Sequence, residues 1–208
     1  MLQIRPGAHK KFLLHAYLQA LVLIFSTSSI WAQQLQLNYK VVQDGNNIGW
    51  LKLQKNDSAE TSIIRFDSEV KKRILFLISI IEKQEVLFRN GVMIKSYLYR
   101  KVNEDIKADK LTIYAGDHYK INKAKDSKSM MINNIRYNQL SLYFFEPVNI
   151  RQIYSDNFER FLTIEKKNDC YQLKLPDGNT TSYYYANGIC SKVKVEHNLF
   201  SVDFILLR

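Results

Sequence analysis

The side chains here that could do covalent or metal chemistry are few. Beyond residue 32 the chain has two cysteines, Cys170 and Cys190, and two histidines, His118 and His197. His118 falls in a predicted hairpin turn and His197 near a strand end, so no His/Cys cluster has metal-ligand spacing. No G-x-S-x-G elbow, glycine-rich phosphate loop or H-E-x-x-H is present. Ser/His/Asp combinations can be drawn, but nothing in the spacing selects one. Glu82 and Glu85 lie close together near a strand end, where carboxylates are usually solvated. Glu146 follows an apolar run and precedes Pro147. It is either a half-buried carboxylate with a raised pKa or a cap for a neighbouring turn. The expectation is no catalytic residue, no metal and no cofactor, hence not an enzyme.

The cysteines bracket CYQLKLPDGNTTSYYYANGIC. Paired cysteines in an exported chain usually bond, but strand geometry argues otherwise. Two-residue turns at Asp177-Gly178 and Asn187-Gly188 put Tyr185 opposite both Cys170 and Cys190, in a three-stranded meander. The outer strands are then about 9.6 Å apart, beyond the ~7 Å that a disulfide spans. Two free thiols are predicted. The same register puts Tyr171, Leu173, Tyr184 and Val193 on an apolar face. Tyr183 and Tyr185 fall on the polar face with Lys174, Lys192 and Lys194. They form a surface strip for carbohydrate or lipid headgroups, or they cover neighbouring side-chain stems.

The ends and the charge place the chain in a class. Arg5, Lys10 and Lys11 precede an apolar stretch, Phe12 to Phe25, and then STSSIWA. This is the order of a secretory signal peptide, residues 1–32, cleaved after Ala32. The alternative is an uncleaved anchor, against which His15, Tyr17 and Gln19 interrupt the stretch. No cysteine stands at the cleavage site for lipid attachment. The leader holds three basic residues and no acid, so the formal charge of +10 falls to +7 without it. A basic exported protein meets an anionic envelope component, lipid or polysaccharide, more often than nucleic acid. The longest later apolar run, Ile74 to Ile81, is strand-length, so no integral span is expected after cleavage. Lys107, Lys110, Lys120, Lys123, Lys125 and Lys128 form the densest basic region, read as a solvated sheet edge that resists aggregation.

The elements that must position these residues are strands. Asp44-Gly45, Asn90-Gly91, Gly116-Asp117, Asp177-Gly178 and Asn187-Gly188 are tight-turn pairs, flanked by runs rich in Val, Ile, Tyr, Phe and Thr. Leu35, Leu37, Tyr39 and Val41 alternate with polar residues, as do Phe200, Val202, Phe204 and Leu206. Residues 33–208 thus read as a single all-β domain. It is an antiparallel curled sheet or half-barrel of about ten to eleven strands with one short helix. The helix is NQLSLYFF: Asn138 caps it, Leu140, Tyr143 and Phe144 share a face, and Pro147 ends it. With Phe145 these are the candidate apolar-ligand or lid residues, plugging the open side of the sheet. Alternatively they pack on a sandwich end.

YKVVQDGNNIGWLKL, LFRNGVMIKSYLYRKVN, IRYNQLSLYFFEP, IYSDNFERFLTI and the LPDG and YYYANGIC turns together resemble a family of uncharacterised exported proteins of Gram-negative envelopes, a domain of unknown function. The G-x-x-I-G-x-L pattern at Gly45, Ile48, Gly49 and Leu51 is similar, more distantly, to the Lol-type lipoprotein carriers. Their curled sheet closes around an apolar cavity. The resemblance implies a periplasmic or outer-envelope location and carries no catalytic residue. Three functions follow: a protein that holds a lipid or other apolar group in its concave face, an interaction module with a filled core and no ligand, and, least supported, a hydrolase.

Overall fold

The computed structural model describes residues 33–73, 77–123, 126–131, 134–197 and 200–207. The expected leader and its cleavage site lie outside them. Among the described residues fourteen strands are present, not ten or eleven. They are β1 (Gln33–Gln43), β2 (Asn46–Asp57), β3 (Thr61–Arg73), β4 (Leu77–Arg89), β5 (Val92–Val102), β6 (Asp105–Tyr114), β7 (Tyr119–Lys123) and β8 (Asp126–Met130). After a 3₁₀ helix (Gln139–Tyr143) come β9 (Gln152–Ser155), β10 (Arg160–Lys167), β11 (Cys170–Lys174), β12 (Thr180–Ala186), β13 (Ile189–His197) and β14 (Phe200–Leu206). The undercount has a physical cause. Asn103 and Asn168 take positive φ in glycine-free turns, between β5 and β6 and between β10 and β11. Asparagine tolerates that conformation and leaves no glycine as a marker. At three of the glycine pairs the expected two-residue turn forms. Asp44-Gly45, Asn90-Gly91 and Asn187-Gly188 all have positive φ at both positions, the turn that matches strand twist.

All fourteen strands share one antiparallel sheet, in the order β8-β7-β6-β5-β4-β3-β2-β1-β14-β13-β12-β11-β10-β9. Two meanders run outward from a central β1–β14 pair, where Tyr39 faces Leu206 and Val41 faces Phe204. The sheet does not close, because its edges, β8 and β9, do not pair. It curls round, and residues 135–138 bridge β5 and β7 to β9. Met93 N–H donates to the Ile135 carbonyl, Ile135 N–H to Tyr119 Oη, and Tyr154 N–H to the Tyr137 carbonyl. Inner-face residues from all round the curl, among them Leu37, Tyr39, Leu53, Phe66, Tyr119, Tyr154 and Tyr183, make one core.

The G-x-x-I-G pattern is structural. Gly45 turns the chain. The register slips between Val41 and Val42, which face Gly49 and Asn47, so Ile48 is a β-bulge. Gly49 then lies so close to β3 that an added Cβ would sit 2.2 Å from the Glu69 carbonyl oxygen.

In the β11–β13 meander the expected register is one residue out. Pro176 sets up a three-residue loop: Gly178 N–H donates to the Leu175 carbonyl, and Asn179 N–H to Asp177 Oδ1. That is a type I turn followed by a left-handed glycine. Cys170 therefore faces Tyr184, not Tyr185, and Tyr171 faces Tyr183. A one-residue slip exchanges the faces of a strand. Tyr183 is buried in the core, and Tyr184 is the outward residue, with Lys192 Nζ 4.9 Å from its ring centroid. On the β12–β13 side Tyr185 faces Cys190 as expected, but Tyr184 faces Lys192, so Ser191 is bulged. The bulge turns Cys190 into the core with Val193, while Cys170 stays on the outer face opposite Tyr184. Both cysteines are free and buried.

Two outcomes are expected. Gly49→Ala should cost about 1–3 kcal/mol in urea unfolding. A loss below about 0.5 kcal/mol would show that β2 and β3 separate freely there. A thiol reagent should label the denatured, unreduced protein at both cysteines and the native protein slowly. Failure to label the denatured chain would mean the two are bonded.

Candidate functional site

The 3₁₀ helix lies inside the curl. Asn138 caps it as expected, its Oδ1 accepting from Ser141 N–H at 3.2 Å. Side chains three apart eclipse in such a helix, so this short plug has three rows of side chains, two of which line cavities. Leu140 and Tyr143 face one cavity, Ser141 and Phe144 another. Leu140, Leu142, Tyr143 and Phe144 are buried, and Phe145 is half-buried with its ring 5.5 Å from that of Tyr137.

Tyr183 and Tyr185, expected on a surface strip, are inside and touch this plug. Tyr143 packs edge-on to Tyr39 at 5.4 Å and to Tyr183 at 6.1 Å. Tyr185 Oη donates to the Leu142 carbonyl at 2.8 Å and its ring packs edge-on to Tyr171. Each such ring pair contributes about 0.5–1.5 kcal/mol beyond area burial. Burial pushes the phenols of Tyr39, Tyr143, Tyr183 and Tyr185 far above their ordinary value. They are neutral hydrogen-bonding groups. Tyr39 Oη, for example, donates to the Cys190 carbonyl at 2.6 Å. Burial likewise pushes the Cys190 thiol up to about 12, which leaves no thiolate nucleophile at neutral pH.

One side of the plug opens into a cavity of about 440 Å³, within the range of small-molecule sites. Its floor is Ile64, Phe88, Phe144 and Phe145, and its rim carries Lys55, Asp57, Glu60 and Arg136. The other side faces a smaller cavity of about 230 Å³. One wall of it is apolar, with Phe66, Val193 and Phe204. The other is polar, with Gln84, Asp156 and the Glu82–Arg100 ion pair at 2.6 Å.

That polar wall holds residues that sequence reasoning missed. Asp156, in the β9–β10 turn, is buried. Its Oδ2 accepts from Gln84 Nε2 at 2.7 Å and from Asn138 Nδ2 at 3.4 Å. Burial pushes its carboxyl above the usual range, against hydrogen bonds from Ser96, Asn138 and Gln84 that pull it down. Gln139 links the plug to β9 and β12, accepting from Ser155 Oγ and donating to Tyr183 Oη, each at 3.1 Å. Nearby, the lysine-rich edge is partly tied down. Lys110, Lys123 and Lys128 converge on Glu159, at 3.1, 2.8 and 3.6 Å. Burial raises the pKa of Glu159, but hydrogen bonds from Lys123 and Lys110 outweigh it and hold the carboxyl below its usual range. Lys107 pairs with Asp105, and Lys125 lies outside the described residues.

The other sequence candidates stay apart. Glu82 pairs with Arg100, Glu85 with Arg65, and Glu146 with Lys166. His118 contacts Asp117, and His197 stacks on Phe200. No group of three or more potential metal ligands occurs among the described residues. Nor is any helix among them long and apolar enough to cross a membrane.

The profile of a family described as a domain of unknown function, DUF6134, matches residues 39–207. No curated protein matches the sequence. A crystal structure of a β-barrel-like protein of the domain of unknown function DUF1849, from Brucella abortus, is similar with a TM-score of 0.54. The match covers 85% of this chain and 96% of that one at 11% identity. The likeness is one of fold.

Asp156→Asn removes the buried ionisation and keeps the shape. A carboxyl raised by folding contributes stability that is fully present below its unfolded pKa, about 3.9. That contribution is lost as pH rises through the folded value. Parent stability minus variant stability should therefore fall as pH is raised from about 4 and then level off. Urea unfolding across a pH series measures it. A difference that stays flat or grows with pH contradicts the burial argument.

Proposed function

The chain belongs to the DUF6134 family of domains of unknown function, and we propose that it is an exported protein of the Gram-negative envelope that binds an apolar group, such as an acyl chain, and catalyses no reaction. One observation carries this: the 440 Å³ cavity at the plug, floored by Ile64, Phe88, Phe144 and Phe145 and rimmed by charged residues. Apolar floors with a few polar groups at the mouth are the usual form of small-molecule sites. The leader-like N-terminus and the likeness to Lol-type carriers support the envelope setting. A second reading, an interaction module without a ligand, draws on the buried plug. Leu142 and Tyr143 fill the centre of the curl, so any ligand sits at the mouth and not through the whole interior.

Native mass spectrometry after detergent-free purification tests this. The parent is expected to carry added mass that organic extraction identifies as acyl lipid. Phe145→Glu, at a half-buried position on the cavity wall, should lose that mass with its circular dichroism unchanged. An unliganded parent that also fails to take up an added fatty acid would favour the interaction module.

A further inference from the structure

The rim of the same cavity carries more information than its floor. Four charged side chains line it. Lys55 and Asp57 satisfy each other at 2.6 Å. Glu60 and Arg136 are both exposed and form no ion pair among the described residues. The Arg136 guanidinium lies over the Asn90-Gly91 turn, with Nη1 3.9 Å from where a Cβ of Gly91 would be. Glu60 lies in the turn between β2 and β3. Two opposite, unpaired charges thus stand apart at the mouth of an apolar cavity.

Taken by burial, the cavity runs from an apolar floor to a separated cation and anion at its exposed rim. An acyl chain and a zwitterionic phosphate–amine head follow the same order. Resting on the binding reading above, we propose that the ligand is a zwitterionic acyl glycerophospholipid. Arg136 receives its phosphate and Glu60 its ammonium. Guanidinium and phosphate match in geometry and form charge-assisted hydrogen bonds. A purely anionic head would satisfy Arg136 and leave its own charge facing Glu60.

The test uses single-chain lysophospholipids of one chain length, below their micelle concentration, titrated into the purified protein by calorimetry. Lysophosphatidylethanolamine should bind about tenfold more tightly than lysophosphatidylglycerol. Arg136→Gln should weaken both by about tenfold. Glu60→Gln should weaken only the ethanolamine lipid and abolish the preference. Both side chains are exposed, so the variants keep the fold, which circular dichroism checks. Equal binding of the two lipids, unaffected by either substitution, overturns this inference and leaves acyl binding standing. No binding of either lipid, or of a fatty acid, overturns the acyl-binding reading itself.

Discussion

Asp156 ties one edge of the sheet to a strand far from that edge, across the curl. β8 and β9 are the ends of the strand order, so the curl must be held by side chains and by the segment between them. The carboxylate is placed in the β9–β10 turn, where it accepts from Gln84 on β4 and from Asn138 at the head of the plug. One acceptor thus fixes the curvature of the sheet and the position of the helix together. Glu159, in the same turn, adds a second clasp to lysines of β6, β7 and β8. Buried polar groups of this kind are costly unless satisfied. Their satisfaction requires the edges to stand where they do.

The plug depends on that placement and in turn shapes the interior. Five residues of 3₁₀ helix present three rows of side chains, because their period is three. The Leu140–Tyr143 row meets the tyrosines and the polar wall, and the Ser141–Phe144 row floors the open cavity. A regular α-helix of this length would spread the same side chains over a wider arc. The buried phenols then act as struts: Tyr185 holds the Leu142 carbonyl and Tyr39 the Cys190 carbonyl. The outer mouth is left as the place where the interior meets solvent, and its unpaired charges are there.

The parts of this arrangement that were legible in the sequence are those set by local rules. Glycine turns, strand alternation at both ends of the domain and the Asn138 cap all follow from backbone preference. The parts that were not legible depend on a count of one residue or on distant partners. Pro176 enforces a three-residue loop where two residues were counted, and Ser191 bulges. Together they exchanged Tyr183 with Tyr184 and moved Cys190 inward. Asn103 and Asn168 turn the chain without glycine and hid strands. Asp156 sits in a Ser-Asp-Asn stretch that has the composition of an exposed turn. Only the far side of the curl makes it a buried hub, and no local pattern records that. The candidate plug residues were found because apolar side chains followed a cap, but their two-faced use required the helix type.

The central seam of the sheet has a bearing on how the molecule comes into being. β1 and β14 pair in the middle, Tyr39 against Leu206, so the earliest and latest strands to be synthesised are neighbours. Each meander can form from adjacent hairpins, but neither can join the other until β14 has been made. Contacts so far apart in sequence give slow folding and a late, cooperative closure. Until then both halves expose the apolar faces that later form the core, at risk of association with other chains. A chain built this way stays open for the whole of its synthesis, which is the condition in which a polypeptide can be threaded or handed on before it takes its final shape.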